Sequence, residues 1–281
     1  MLRFLYLIFV LSPLLLSAQS PWARSKAGFY AQGAWQFIPT YSTLFGENAG
    51  DMPLVRDVTE NIFQMYGEYG VSRKTTVIAS LPIVFVKRGD LNPEFPYVFS
   101  RVDSGSISGL GNVNLAIRHQ FSAGKVAFAG TLRIGFPASK YQANTGLRTG
   151  YDAFTVVPML SAGMGFGKAY WFAYGGYGLR TDNYSHFINT GVEGGFHFWR
   201  VWAIGFSEYL VSLENGSLAQ PAPDVYTGLY VNDQGWLSIG LKCIVEFNRF
   251  WGVNLTGAGA MWGQYVPQSP AFSIGTYFKW D

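Results

Sequence analysis

Between Ala27 and Trp280 apolar side chains return at every second position, in segments of ten to fourteen residues, and the pattern restarts about twelve times. A period of two is the signature of a strand with unlike faces. In Ala27–Ile38, Phe29, Ala31, Trp35 and Phe37 share one phase and Tyr30, Gln32 and Gln36 the other. The pattern predicts further strands over Val58–Val71, Thr75–Val86, Gly111–Ser122, Lys125–Phe136, Ala153–Phe166, Tyr170–Arg180, Phe187–Phe198, Val201–Leu213, Gly235–Phe247, Phe250–Met261 and Ala271–Trp280. The connections alternate between very short and long. The long ones are residues 39–56, 87–110, 137–151, 181–186, 214–234 and 262–270.

One fold satisfies this pattern. A bilayer leaves every lipid-exposed backbone N–H and C=O without water, so only helices and closed barrels cross it. Twelve is an allowed even strand number for an up-and-down antiparallel barrel, and it puts both chain ends on one side. The expectation is an all-β transmembrane barrel with short periplasmic turns and long extracellular loops. A soluble β-sandwich would need polar outer faces, whereas one phase here is a nearly continuous run of Phe, Val, Leu, Trp and Ile. Pro82 and Pro158 interrupt strands and predict local bulges. A closed bulge needs no function; the functional alternative is a local gap in the wall through which a greasy ligand leaves sideways.

Composition agrees with a lipid-facing surface. The chain has 281 residues, 34 of them Gly, with 17% aromatic and 13% charged residues. Soluble domains carry about 25% charged residues. Residues 1–18 read as a secretory leader, with Arg3, an apolar run from Phe4 to Leu16, and a small-residue cleavage site before Gln19. The expected domains are this leader, a short periplasmic segment 19–26, and a single barrel over 27–281. The expected location is the outer membrane, in contact with its lipid and lipopolysaccharide. A net charge of +3 is too small to suggest nucleic acid.

The phase opposite the apolar one collects the strand-borne polar groups. Glu68, Asn112, Asn114, Arg118, Arg133, Arg180, Glu193, His197, Lys242 and Glu246 are therefore candidate lumen-lining residues. Facing lipid, each Arg or Lys at mid-depth would cost about 2–4 kcal/mol. Both signs occur, so cross-lumen pairing that plugs the barrel and a narrow polar passage both remain open. Tyr41, Phe95, Tyr97, Tyr141, Tyr226 and Tyr230 in the long connections are candidates for capturing a solute. The loop 214–234 holds Glu214, Asp224 and Asp233 without a base, which reads as a solvated acidic loop.

No catalytic or metal chemistry emerges from the spacing. His119, His186 and His197 stand at no metal-ligand distance along the chain from one another or from a cysteine. Ser185 precedes His186, but a hydrolase needs a third orienting group and an oxyanion site. Cys243, the lone cysteine, lies in an apolar phase. No cofactor, metal or enzymatic activity is expected.

Gly109-Leu110-Gly111-Asn112-Val113-Asn114-Leu115 followed by Arg118-His119-Gln120-Phe121, the strand exit Leu132-Arg133-Ile134-Gly135-Phe136-Pro137, and the closing Phe272–Trp280 segment resemble a family of outer-membrane barrels. Its members are named for pathways degrading phenol and related aromatics, and are distantly similar to long-chain fatty-acid channels. The resemblance implies passive uptake of small hydrophobic compounds. Fatty-acid channels carry an N-terminal hatch and fourteen strands, whereas only about eight residues separate the expected cleavage site from the first strand here. The terminal alternating aromatics also resemble the signal read by the outer-membrane assembly machinery. The functional expectation is passive transport of a small, partly hydrophobic solute. A closed barrel that docks or adheres through its loops is the alternative, and a barrel hydrolase of lipid or envelope polymers a lesser one.

Overall fold

The computed structural model describes residues 19–93 and 103–280. The expected leader and the capture candidates Phe95 and Tyr97 lie outside the described residues. The rest forms one closed antiparallel barrel of twelve strands. These are β1 (Phe29–Phe45), β2 (Asp51–Gly70), β3 (Thr75–Leu91), an interrupted β4 (Gly105–Leu110 and Val113–Ala123), β5 (Ala127–Phe136), β6 (Thr155–Phe166), β7 (Ala169–Arg180), β8 (Phe187–Phe198), β9 (Val201–Ser212), β10 (Gly235–Glu246), β11 (Trp251–Gln264) and β12 (Ala271–Trp280). Each strand pairs with its sequence neighbours. The ring closes through nine consecutive β1–β12 partners, from Phe29 with Trp280 to Phe37 with Phe272.

The two phases separate as the alternation requires. On β12, Phe272, Ile274, Phe278 and Trp280 point outward, while Ser273 and Tyr277 are buried inside. On β10, Leu241 is 63% exposed on the outer face, whereas the buried Ser238 shares the inner one. Rings gather toward both outer rims. Phe250 stacks on Trp280 with centroids 5.3 Å apart near the short turns, and Trp35 stacks on Phe85 at 5.6 Å further up the wall. Such girdles mark the two bilayer interfaces of a transmembrane barrel. Cys243 faces outward with the apolar set, and His119 sits on the outer surface with its Nδ1 3.0 Å from the Thr75 hydroxyl.

Both prolines fall at irregularities. Beside Pro82 the β3–β4 ladder breaks between the Ser80–Asn114 and Ile83–Leu110 pairs, bridged by Gly111 N–H donating to the Pro82 carbonyl at 3.0 Å. Beside Pro158 the β6–β7 ladder skips from Met159–Gly176 to Val156–Leu179.

Several boundaries differ from the sequence expectation: β4 begins at Gly105 and β11 runs to Gln264, and the largest extensions fall in the first three strands. β1 continues to Phe45, β2 starts at Asp51, and β3 runs to Leu91, so the first long connection shrinks to residues 46–50. The reason is visible in their inner side chains. Tyr41, Leu44, Leu54 and Val58 are apolar and buried inside the barrel, which erases the polar-in pattern by which the lower strands announce themselves. Two register shifts in β1, between Ile38 and Thr43, further blur the period.

Candidate functional site

Two obstructions cross the lumen and leave a cavity between them. The lower one is the segment preceding β1. Arg24 N–H donates to the Thr76 hydroxyl at 2.8 Å, and Ala23 N–H to Gln120 Oε1 at 3.1 Å. On the opposite wall Trp22 packs edge-on against Tyr170 and Phe172, with centroids 5.8 and 6.0 Å away. Residues too few for a folded hatch thus still span from β3 and β4 to β7. Gly70 makes room for this course: a Cβ there would lie 1.8 Å from the Ser25 carbonyl oxygen.

Around this crossing the lumenal charges are paired. Glu68 accepts Arg24 Nε at 2.7 Å and Arg118 Nη2 at 3.4 Å, with Tyr66 donating its hydroxyl at 2.5 Å. On the far wall Lys242 bonds Glu193 at 3.1 Å, and Glu246 takes both Lys279 at 2.8 Å and His197 at 3.2 Å. His197 also stacks on Trp202 at 4.6 Å. Six of the lumen-lining candidates thus sit within this periplasmic-side network.

The upper obstruction is a lid made by loops 137–151 and 214–234. Arg88, fully buried, donates Nη1 to the Thr145 carbonyl at 2.6 Å and Nη2 to the Asp224 carbonyl at 2.7 Å. Leu147, Tyr226, Leu229 and Val231 pack onto Ile38, Val58, Val84 and Val86 of the inner wall. Burying such side chains contributes about 1.5–3 kcal/mol each, so the loops lie inward as part of the core. Tyr41 belongs to that contact and donates to the Thr227 carbonyl at 3.1 Å. Of the remaining capture candidates, Tyr226 is buried in the lid and burial raises its phenol pKa. Tyr141 is exposed beneath the Arg148 guanidinium, 4.1 Å away, and Tyr230 points to the cavity.

The cavity between lid and segment measures about 110 Å³. Ile38, Ile62, Phe187, Leu210 and Trp236 give it apolar walls, while Glu60, Gln64, Asn114, Arg133, Arg180 and Glu208 give polar ones. Asn112, in the break of β4, closes one side by holding the Tyr151 backbone: it accepts Tyr151 N–H at 2.6 Å and donates to the Tyr151 carbonyl at 2.7 Å. Tyr230 donates to Glu60 at 2.9 Å, and Asn189 donates to Glu208 at 2.8 Å. Burial and the Glu60 carboxylate push the Tyr230 phenol well above its ordinary pKa, so it remains a donor throughout the neutral range. Arg180 is sandwiched by Tyr151 at 4.0 Å and Phe187 at 4.4 Å.

Glu60 and Glu208 were not among the sequence candidates. A signal for both existed, since Glu60 shares its phase with Gln64 and Glu68, and Glu208 shares its phase with buried Leu210. Ser185 and His186 diverge. Ser185 Oγ donates to Asp233 at 2.5 Å, while the His186 ring shares a hydrogen bond with the Tyr177 hydroxyl at 3.1 Å.

No protein-family model matches the sequence, and no curated protein matches it. Solved structures do. An outer membrane channel of Pseudomonas putida F1 superposes with a TM-score of 0.69 at 11% identity, over 94% of this chain and 100% of that one. The NanC porin gives 0.53 at 6% identity, over 90% and 100%. The β domain of the Bordetella autotransporter BrkA gives 0.51 at 11% identity, over 91% and 100%. At these identities the likeness is one of architecture: this chain has the fold of an outer-membrane β-barrel.

Proposed function

We propose that the protein is an outer-membrane channel that passes small, partly hydrophobic solutes through the barrel interior. One observation carries this reading: a cavity with mixed apolar and polar walls, lined from strands all round the barrel, lies between two obstructions built from a chain segment and two loops and not from the wall itself. A barrel built only as a scaffold has no use for a hollow centre. Eight-stranded barrels fill theirs with side chains, and sixteen-stranded porins leave an open aqueous channel. Twelve strands leave room for a gated passage. Entry requires the lid of loops 137–151 and 214–234 to part, and exit requires residues 19–24 to swing aside.

The inward fold of both loops favours transport over docking. Leu147, Tyr226, Leu229 and Val231 are packed on the inner wall and so are not presented to a partner. A lateral exit beside Pro158 is a second route, and the skipped β6–β7 pairs there support it. Reconstitution in liposomes tests the main reading. Small uncharged solutes should enter faster than through protein-free membranes, and deleting residues 19–24 should raise that rate several-fold. Protein-free rates for both barrels, shown to be folded by heat-modified gel mobility, would contradict it.

A further inference from the structure

The charges in the upper cavity differ from those below it. Near the short turns every strand-borne carboxylate just described meets a cation within 4 Å, and the cations there are matched in turn. In the cavity this matching stops. Arg133 and Arg180 are the basic side chains lining it, and among the described residues neither forms an ion pair within 4 Å. Arg133 makes no hydrogen bond among the described residues, although Glu208 lies near enough to act on it electrostatically. Arg180 is only 9% exposed, and its Nε has no hydrogen-bond partner among the described residues. Its contacts are two ring faces and the Tyr151 side chain, which supplies no opposite charge. The acids of the cavity are held instead by neutral donors, Glu60 by Tyr230 and Glu208 by Asn189.

Guanidinium groups left unmatched beside apolar walls are a costly arrangement unless a ligand completes them. The planar fork of Arg suits a carboxylate, which it grips through paired N–H···O bonds. The cavity also supplies a place for an apolar body, between Phe187, Leu210 and Trp236. Cavities of about 150 Å³ accommodate benzene, so a volume of about 110 Å³ with some side-chain adjustment suits one ring or a short aliphatic chain.

We propose that this cavity is a binding site for small organic monocarboxylates, with Arg133 and Arg180 holding the carboxylate and the apolar wall holding the body. This deepens the transport reading by naming the solute class. It adds a site of preference, where a simple sieve would have none.

The test uses the full mature barrel, purified in detergent, and calorimetric titration with three probes of one shape: benzoate, benzyl alcohol and benzylamine. Benzoate is expected to bind at least tenfold more tightly than benzyl alcohol, with benzylamine weaker still. Arg180→Gln and Arg133→Gln should each weaken benzoate at least tenfold while changing benzyl alcohol little. Equal binding of benzoate and the alcohol, preference for the amine, or absence of benzoate binding to the wild-type barrel overturns the proposal, and none of these depends on a variant folding. The transport reading is separable by flux in liposomes. Benzoate binding without flux leaves the site and removes the channel, whereas flux of uncharged solutes without benzoate binding does the reverse.

Discussion

Glu68 on β2 accepts Arg24 Nε at 2.7 Å, so a carboxylate on the second strand fastens a residue that precedes the first. The same carboxylate neutralises Arg118, which is 1% exposed. Removing one member of a buried pair leaves the other charge uncompensated and costs about 3–5 kcal/mol. Glu68→Gln should therefore lower the urea midpoint of the vesicle-inserted barrel and free the segment before β1. Tryptophan fluorescence follows the midpoint. Trp22 is one of nine tryptophans, so the part of the emission change lost on Trp22→Phe is the part that reports the segment. An unchanged midpoint would show that Arg118 finds compensation elsewhere.

Gly70 is where that segment passes closest to the wall. With a Cβ predicted 1.8 Å from the Ser25 carbonyl oxygen, Gly70→Ala cannot keep the present course of residues 24–27. The expected outcome is a several-fold rise in solute flux through liposomes with the barrel still folded. Flux at the wild-type rate would mean that this crossing does not limit passage.

Arg88 is the pin of the lid. Hydrogen bonds from a charged group contribute about 1.5–3 kcal/mol each, and Arg88 makes two to loop carbonyls. Arg88→Ala should cost about 3 kcal/mol of lid closure and expose loops 137–151 and 214–234 to protease added outside intact cells. Protection equal to the wild type would place the holding force in the apolar contacts alone.

The separation of faces gives a sharper pair. Leu241 looks outward and its neighbour Lys242 faces the lumen, where it meets Glu193. Leu241→Arg should destabilise the membrane-inserted barrel by about 2–4 kcal/mol. Lys242→Gln, removing a partly solvated pair, should cost no more than about 1 kcal/mol. Equilibrium unfolding in lipid vesicles measures both, and the reverse order would invert the assignment of the faces.

The wall was legible in the sequence because its rule is local: a strand between lipid and lumen must alternate, and twelve segments did. Phase alone also put Arg118, Arg133 and Arg180 inside. The lid was hidden because its contacts join distant residues, such as Arg88 with Asp224 and Tyr41 with Thr227, and no periodicity encodes them. The upper halves of β1 to β3 were missed for the same reason, their inner residues being apolar to suit the lid. The crossing at residues 19–24 is too short to carry any period. Its hold on the wall shows only once Gln120, Thr76 and Tyr170 are brought to one level.

The central claim is that a solute passes through the barrel only when the segment before β1 moves. Replacing Ala23 and Gln120 by cysteine in a Cys243→Ser background, and linking them with a short bis-methanethiosulfonate, which forms a reducible disulfide at each thiol and releases sulfinate, would tether that segment to β4. Ala23 N–H lies 3.1 Å from Gln120 Oε1, so the two positions are adjacent. Liposome flux should fall to the protein-free rate when linked and return on reduction; equal flux in the linked and reduced barrels would contradict the account.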